Sequence, residues 1–135
     1  MYWCEITMHS GAYSCLLRGA SASTPRLSVR WLQTHADRLA DLMDPQPWSI
    51  WVPMSPQGTT PLRDAEADAR DVPEDLRAWS GNDKAHEYAM GALSAGAHFR
   101  FVTGDSSTEI VLSARLVSAR TLGTSQRSDR VFAAA

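Results

Sequence analysis

Tyr2-Trp3-Cys4-Glu5-Ile6-Thr7-Met8-His9-Ser10-Gly11-Ala12-Tyr13-Ser14-Cys15-Leu16-Leu17-Arg18 is the stretch that decides the class of fold. Successive side chains of a strand point to opposite faces, so an apolar–polar alternation of period two marks a strand with one face buried. Residues 2–9 and 12–18 form two such runs about Ser10-Gly11, and together they read as a β-hairpin. A two-residue turn at Ser10-Gly11 pairs Cys4 with Leu17 and Ile6 with Cys15. Cys4, Ile6, Met8, Tyr13, Cys15 and Leu17 then make one apolar face, while Trp3, Glu5, Thr7, Ser14, Leu16 and Arg18 make a mixed one. That coherence supports the pairing, because a slip of one residue would scatter the apolar set. The two cysteines would share a face on a diagonal of about 7–8 Å. This is beyond comfortable disulfide reach, so both are expected as reduced core thiols.

Past the small-residue loop Gly19–Ser23 the period changes. Thr24-Pro25 is a helix start, with threonine as the cap and proline in the first turn, where its missing N–H costs nothing. Val29, Leu32, Ala36, Leu39, Ala40 and Met43 then recur at helical spacing, with Arg30, Thr34, Asp37 and Asp41 opposite and Trp31, His35 and Leu42 on the flank. Further on, Pro73–Trp79 reads as a short helix with carboxylates in its first turn. Asn82 caps another to about Ala95, with Ala85, Tyr88, Ala89 and Ala92 as its packing face and Gly96 at its end. His98–Val102 and Glu109–Ala119 form a second hairpin about a turn at Thr103–Thr108.

Between the first two helices lies Trp48-Ser49-Ile50-Trp51-Val52-Pro53-Met54, apolar on both faces of a strand. Trp48, Ile50 and Val52 point one way. Trp51 points the other, where a half-buried strand would carry a polar residue, so Trp51 marks either a second covered face or a surface that meets a partner. The order ββ-α-β-α-α-ββ predicts an α+β fold: a mainly antiparallel sheet of about five strands with two main helices on one face. Residues 1–119 are expected as one domain and residues 120–135 as a polar C-terminal tail.

The 135 residues, 44% hydrophobic and 21% charged, are enough for a core without metals or cross-links. No run approaches the roughly 18 apolar residues of a membrane span. The N-terminal residues lack the basic and apolar regions of a signal peptide, so the cytoplasm is the expected compartment. A net charge of −2 argues against direct nucleic-acid binding. The charge is uneven: +2 over residues 1–40, −5 over 41–85 and +1 over 86–135.

No motif fixes a reaction. His9, His35, His86 and His98 stand in no metal-ligand spacing, and neither phosphate loops nor a nucleophile elbow is present. No cofactor, metal or catalytic residue is therefore expected. Asp64, Glu66, Asp68 and Asp71 belong to a long 55–72 connection and read as a solvated acidic face that could meet a basic partner. Of the five tryptophans, Trp48 and Trp79 are expected in the core. Trp51, Trp31 and Trp3 are the candidates for an interface, where tryptophan offers large area and one donor.

In general character (one domain, mildly acidic, no catalytic signature) the chain is similar to small bacterial and phage accessory proteins such as immunity proteins and inhibitors of defence systems. The likeness is one of composition and rests on no motif. The expectation is a non-catalytic protein-binding module that blocks a partner by occlusion. Trp51, Trp31, Trp3, Asp64, Glu66, Asp68 and Asp71 would carry the contact, with homodimerisation through a sheet edge as a further option. The alternative is a small enzyme or ligand-binding domain whose His86, His98, Asp105 and Glu109 converge in a pocket.

Overall fold

Gly11 takes a φ of +59° and Ala12 stays outside the left-handed region, the backbone pattern of a two-residue hairpin turn with glycine first. Strands β1 (Tyr2–Ser10) and β2 (Tyr13–Ala22) leave this turn with Ser10 opposite Tyr13. The turn is thus Gly11-Ala12, not Ser10-Gly11, and Cys15 lies opposite Met8 rather than Ile6. Only glycine takes positive φ without steric cost, and the turn places it in the first central position. A displacement of two residues preserves the faces, so the apolar set survives. The structure, a computed structural model, describes residues 1–45 and 71–118.

A β-bulge then breaks the register between Ile6 and Thr7. Thr7 faces Leu16 but Ile6 faces Arg18, which leaves Leu17 as the extra residue. Beyond the bulge the phase of β2 is reversed. Arg18 therefore joins the face of Ile6 and leaves the mixed face to which simple alternation assigns it. Cys4 is fully buried but Cys15 is exposed, which corrects the expectation of two core thiols: the helices do not reach over that end of β2.

The remaining elements are α1 (Pro25–Met43), α2 (Val72–Ser80), α3 (Asp83–Ser94), β3 (Phe99–Gly104) and β4 (Glu109–Leu116). The sheet is antiparallel throughout, in the order β2-β1-β4-β3. It has four strands among the described residues, and three helices accompany it. The expected tryptophan strand 48–54, including Trp51, lies outside the described residues, as do Asp64, Glu66, Asp68 and the tail 120–135.

Each helix begins where its cap residue says. Thr24 Oγ1 accepts from the Leu27 amide at 3.2 Å, Asp71 Oδ1 from Glu74 at 3.2 Å and Asn82 Oδ1 from Ala85 at 3.1 Å. Val29, Leu32, Ala36 and Ala40 of the expected α1 stripe are buried, joined by Ser28, while Leu39 is half-buried and Met43, at the last turn, is exposed. The packing face of α3 is His86, Ala89 and Leu93 rather than the small-residue face. Tyr88 is 74% exposed, because the helix is rotated to bury its one leucine.

One core unites these elements. Cys4, Ile6, Ile110, Leu112, Ala114 and Phe99 from the sheet meet Val29, Leu32, Leu76, Trp79 and Leu93 from the helices. Each fully buried Leu or Ile contributes about 1.5–3 kcal/mol of burial. Arg77 donates to Asp44 Oδ2 at 2.9 Å and to Asp41 Oδ1 at 3.2 Å, and Gln33 Nε2 donates to the Ser80 carbonyl at 2.9 Å; these contacts tie α2 to α1.

Candidate functional site

Beside its buried stripe, α1 carries a second row. Leu27, Trp31, His35, Arg38 and Leu42 follow one another at steps of three and four, so they share one face of the helix. This row stands over β2, the edge strand. Between helix and strand runs an open cleft of about 830 Å³ lined by Ser21, Leu27, Arg30, Trp31, Thr34 and Arg38 among others. It continues at His35 and Arg38 into a smaller recess of about 260 Å³ walled by Ile6, Leu17, Arg18, Leu39 and Leu42.

The apolar content of this flank is unusual for a surface. Of the nine large hydrophobic residues exposed among the described residues, Tyr13 and Leu16 belong to β2 and Leu27, Leu42 and Met43 to α1. No residue of β2 is fully buried. Of the exposed hydrophobic residues, Leu27 and Leu42 line the cleft and its recess, and exposed apolar surface rimmed by polar groups is what an interaction site presents.

Its electrostatics are equally one-sided. Arg18, Arg30 and Arg38 line the two connected spaces, and among the described residues no carboxylate does. Among the described residues the salt bridges belong to Arg77, so these three guanidinium groups are not ion-paired. The His35 ring lies 4.3 Å from the Trp31 ring, tilted by 49°. Burial against that ring pushes the His35 pKa below its ordinary value, and the positive charges of Arg38 and Arg18 push it further down. The cleft therefore holds a neutral aromatic pair between fixed cations.

The other sequence candidates fall elsewhere. Trp3 is half-buried on the opposite face of the sheet. Its Nε1 donates to Glu5 Oε2 at 2.7 Å, and its ring covers Gly19, where an added Cβ would come within 2.7 Å of it. The donor and one ring face of Trp3 are thus already used within the hairpin. Asp71 is the cap of α2.

Of the pocket alternative, Asp105 and Glu109 share the β3–β4 turn, and the histidines make contacts of their own. His86 is buried with Nε2 2.9 Å from the Trp79 carbonyl and its ring against Trp79. His98 precedes β3, where burial lowers its pKa and Arg115 and Arg100 add to the effect. His9 Nε2 lies 3.1 Å from Thr7 Oγ1. Asp105 closes the β3–β4 turn, accepting from the amides of Ser107 and Thr108 at 2.8 Å. Those bonds hold its carboxyl below the usual range. Among the described residues no group of three His, Cys, Asp or Glu side chains is placed to hold a metal ion. No described helix is long and apolar enough to cross a membrane.

The sequence pattern does not single out Leu27 and Arg38 of the cleft, places Arg30 only on the outer side of α1, and assigns Arg18 to the other face of the sheet. The position of Arg18 depends on a bulge, and no proline or glycine at Leu16–Arg18 announces one. Comparison with known proteins found no matching family model, no similar curated protein and no matching solved structure.

Proposed function

We propose that this chain is a non-catalytic protein-binding module, of the inhibitor or immunity type, that holds its partner in the α1–β2 cleft and acts by covering the partner's working surface. The observation that supports this reading is the second row of α1. Leu27 and Leu42 are exposed, and half-buried Trp31, which touches the core with part of its ring, stands between them in register along a helix beside an exposed edge strand. Trp31 is the natural anchor: a partly buried indole at the centre of a cleft, with arginines at its rim.

The test is affinity capture by the tagged protein from its native host, repeated with Trp31→Ala and with Arg100→Glu. Arg100 lies on the far strand β3 and serves as the control. The reading expects one stoichiometric protein, retained by Arg100→Glu and lost with Trp31→Ala while the variant stays folded. A partner bound equally by all three proteins would place the contact elsewhere and overturn the reading.

A further inference from the structure

We infer that the occupant of the α1–β2 cleft is an extended acidic segment of the partner protein, which adds to the free edge of β2 as a further strand and sets its carboxylates against Arg18, Arg30 and Arg38. The inference rests on the cleft being the partner site and specifies the chemistry of what enters it.

Three features of the flank converge on this occupant. The first is the edge itself. β2 is ten residues long and, among the described residues, pairs with β1 on one side only, so its outward N–H and C=O groups are a template for another strand. Natural edges are guarded by prolines and charges. β2 has no proline and one charge, Arg18, which the bulge turns toward the helix side.

Geometry is the second. A strand added beside β2 would lie about 4.8 Å beyond it, and every second side chain would point to the face on which α1 stands. Those side chains would enter the cleft beneath Leu27, Trp31, Thr34 and Arg38. The intervening ones would lie beside Leu16, 54% exposed on the other face.

The third feature is charge. Three guanidinium groups that, among the described residues, have no ion-pair partner and no carboxylate beside them favour an anionic occupant and oppose a cationic one. The same charges disfavour a second copy of this chain, since two-fold pairing of β2 with β2 would bring the two arginine sets toward each other. A nucleic acid would find the cations, but one face of Trp31 is occupied by His35, and a sugar–phosphate chain cannot complete a strand ladder.

The experiment is selection of a phage-displayed library of random 12-residue peptides on the full chain. The expected winners carry Asp or Glu at alternate positions with β-branched residues between. The best peptide, made synthetically, should bind Arg30→Glu and Arg38→Glu roughly tenfold or more weakly and Arg100→Glu unchanged. N-methylation of its alternate amides should abolish binding in one phase and be tolerated in the other, because only every second amide of an edge-bound strand faces β2.

Winners without acidic residues, indifference to both charge reversals, or tolerance of N-methylation in both phases would overturn the inference. So would tight binding of a (dT)12 oligonucleotide that displaces the peptide, or a homodimer by light scattering that the arginine reversals strengthen. If a captured protein still depends on Trp31 while no acidic strand binds, the cleft remains the partner site and only its occupant is wrong. If nothing depends on Trp31, both readings fall.

Discussion

The two edges of the sheet are built from similar materials and finished differently. At the β3 edge, Trp79 of α2 stacks on Phe101 and Phe99 with centroids 5.6 and 6.0 Å away, and His86 meets it in a T-shaped contact at 4.9 Å. Thr103 Oγ1 donates to Asp75 Oδ2 at 2.8 Å, which fastens strand to helix. At the β2 edge a tryptophan–histidine pair also stands on a helix, but among the described residues no ring of β2 meets it and no hydrogen bond joins β2 to α1 beside it. One aromatic pair is thus built into the core and the other is set beside it. The first reads as stability and the second as binding, because apolar area that the fold does not use is available to a partner.

The largest predicted difference tests that contrast directly. Trp79→Ala should cost about 3–5 kcal/mol, as expected for emptying a buried indole site, and Trp31→Ala no more than about 1 kcal/mol, both read as changes in urea midpoint at constant slope. Equal losses would mean that Trp31 is a core residue. Gly19→Ala comes next. It forces the Trp3 ring off the hairpin and should cost about 1–3 kcal/mol, as overpacking does, so the β2 edge is open in its cleft without being loosely attached. Thr103→Val removes the hydroxyl donor to Asp75 and should cost about 1 kcal/mol. No loss there would show that the β3 edge is held by the rings alone.

The hairpin, the α1 cap and the stripe of α1 were legible because each depends on local periodicity: Cys4, Ile6 and Met8 at spacing two, and Val29, Leu32, Ala36 and Ala40 at spacing three and four. The register was not. It turned on which residue of Ser10-Gly11-Ala12 would take positive φ, and on a bulge at Leu17 that leaves no local mark. The α3 face misled for a related reason: small residues suggested close approach, whereas burying Leu93 and His86 decided the rotation. For the site, Trp31, His35 and Leu42 were visible as a flank. Their meaning was not, because it depends on β2 lying beside them, and that is a tertiary fact.

Protonation sharpens the same comparison by a smaller amount. The His35 pKa lies below the ordinary 6.5 in the folded protein, so the unfolded chain binds more protons in the interval between the two values. Stability is therefore full above about pH 6.5 and declines as the pH falls toward the folded pKa, below which this contribution is constant. His35→Gln should make that decline shallower in denaturation series across the interval. An unchanged slope would mean that the ring is not held between Trp31 and the two arginines. The smallest perturbation is chemical: iodoacetamide should modify Cys15 in the native protein and reach Cys4 only on unfolding, as read by mass spectrometry, since Cys4 is fully buried and burial raises its pKa. Native modification of Cys4 would show that the core opens beneath α1.

The account stands most directly on one measurement: amide hydrogen exchange of the full chain, alone and with its captured partner, resolved by strand. The open-edge account predicts that β2 and the Leu27–Leu42 face of α1 gain protection while β3 is unchanged. Protection confined to β3, or to the sheet face that carries Trp3, would contradict it.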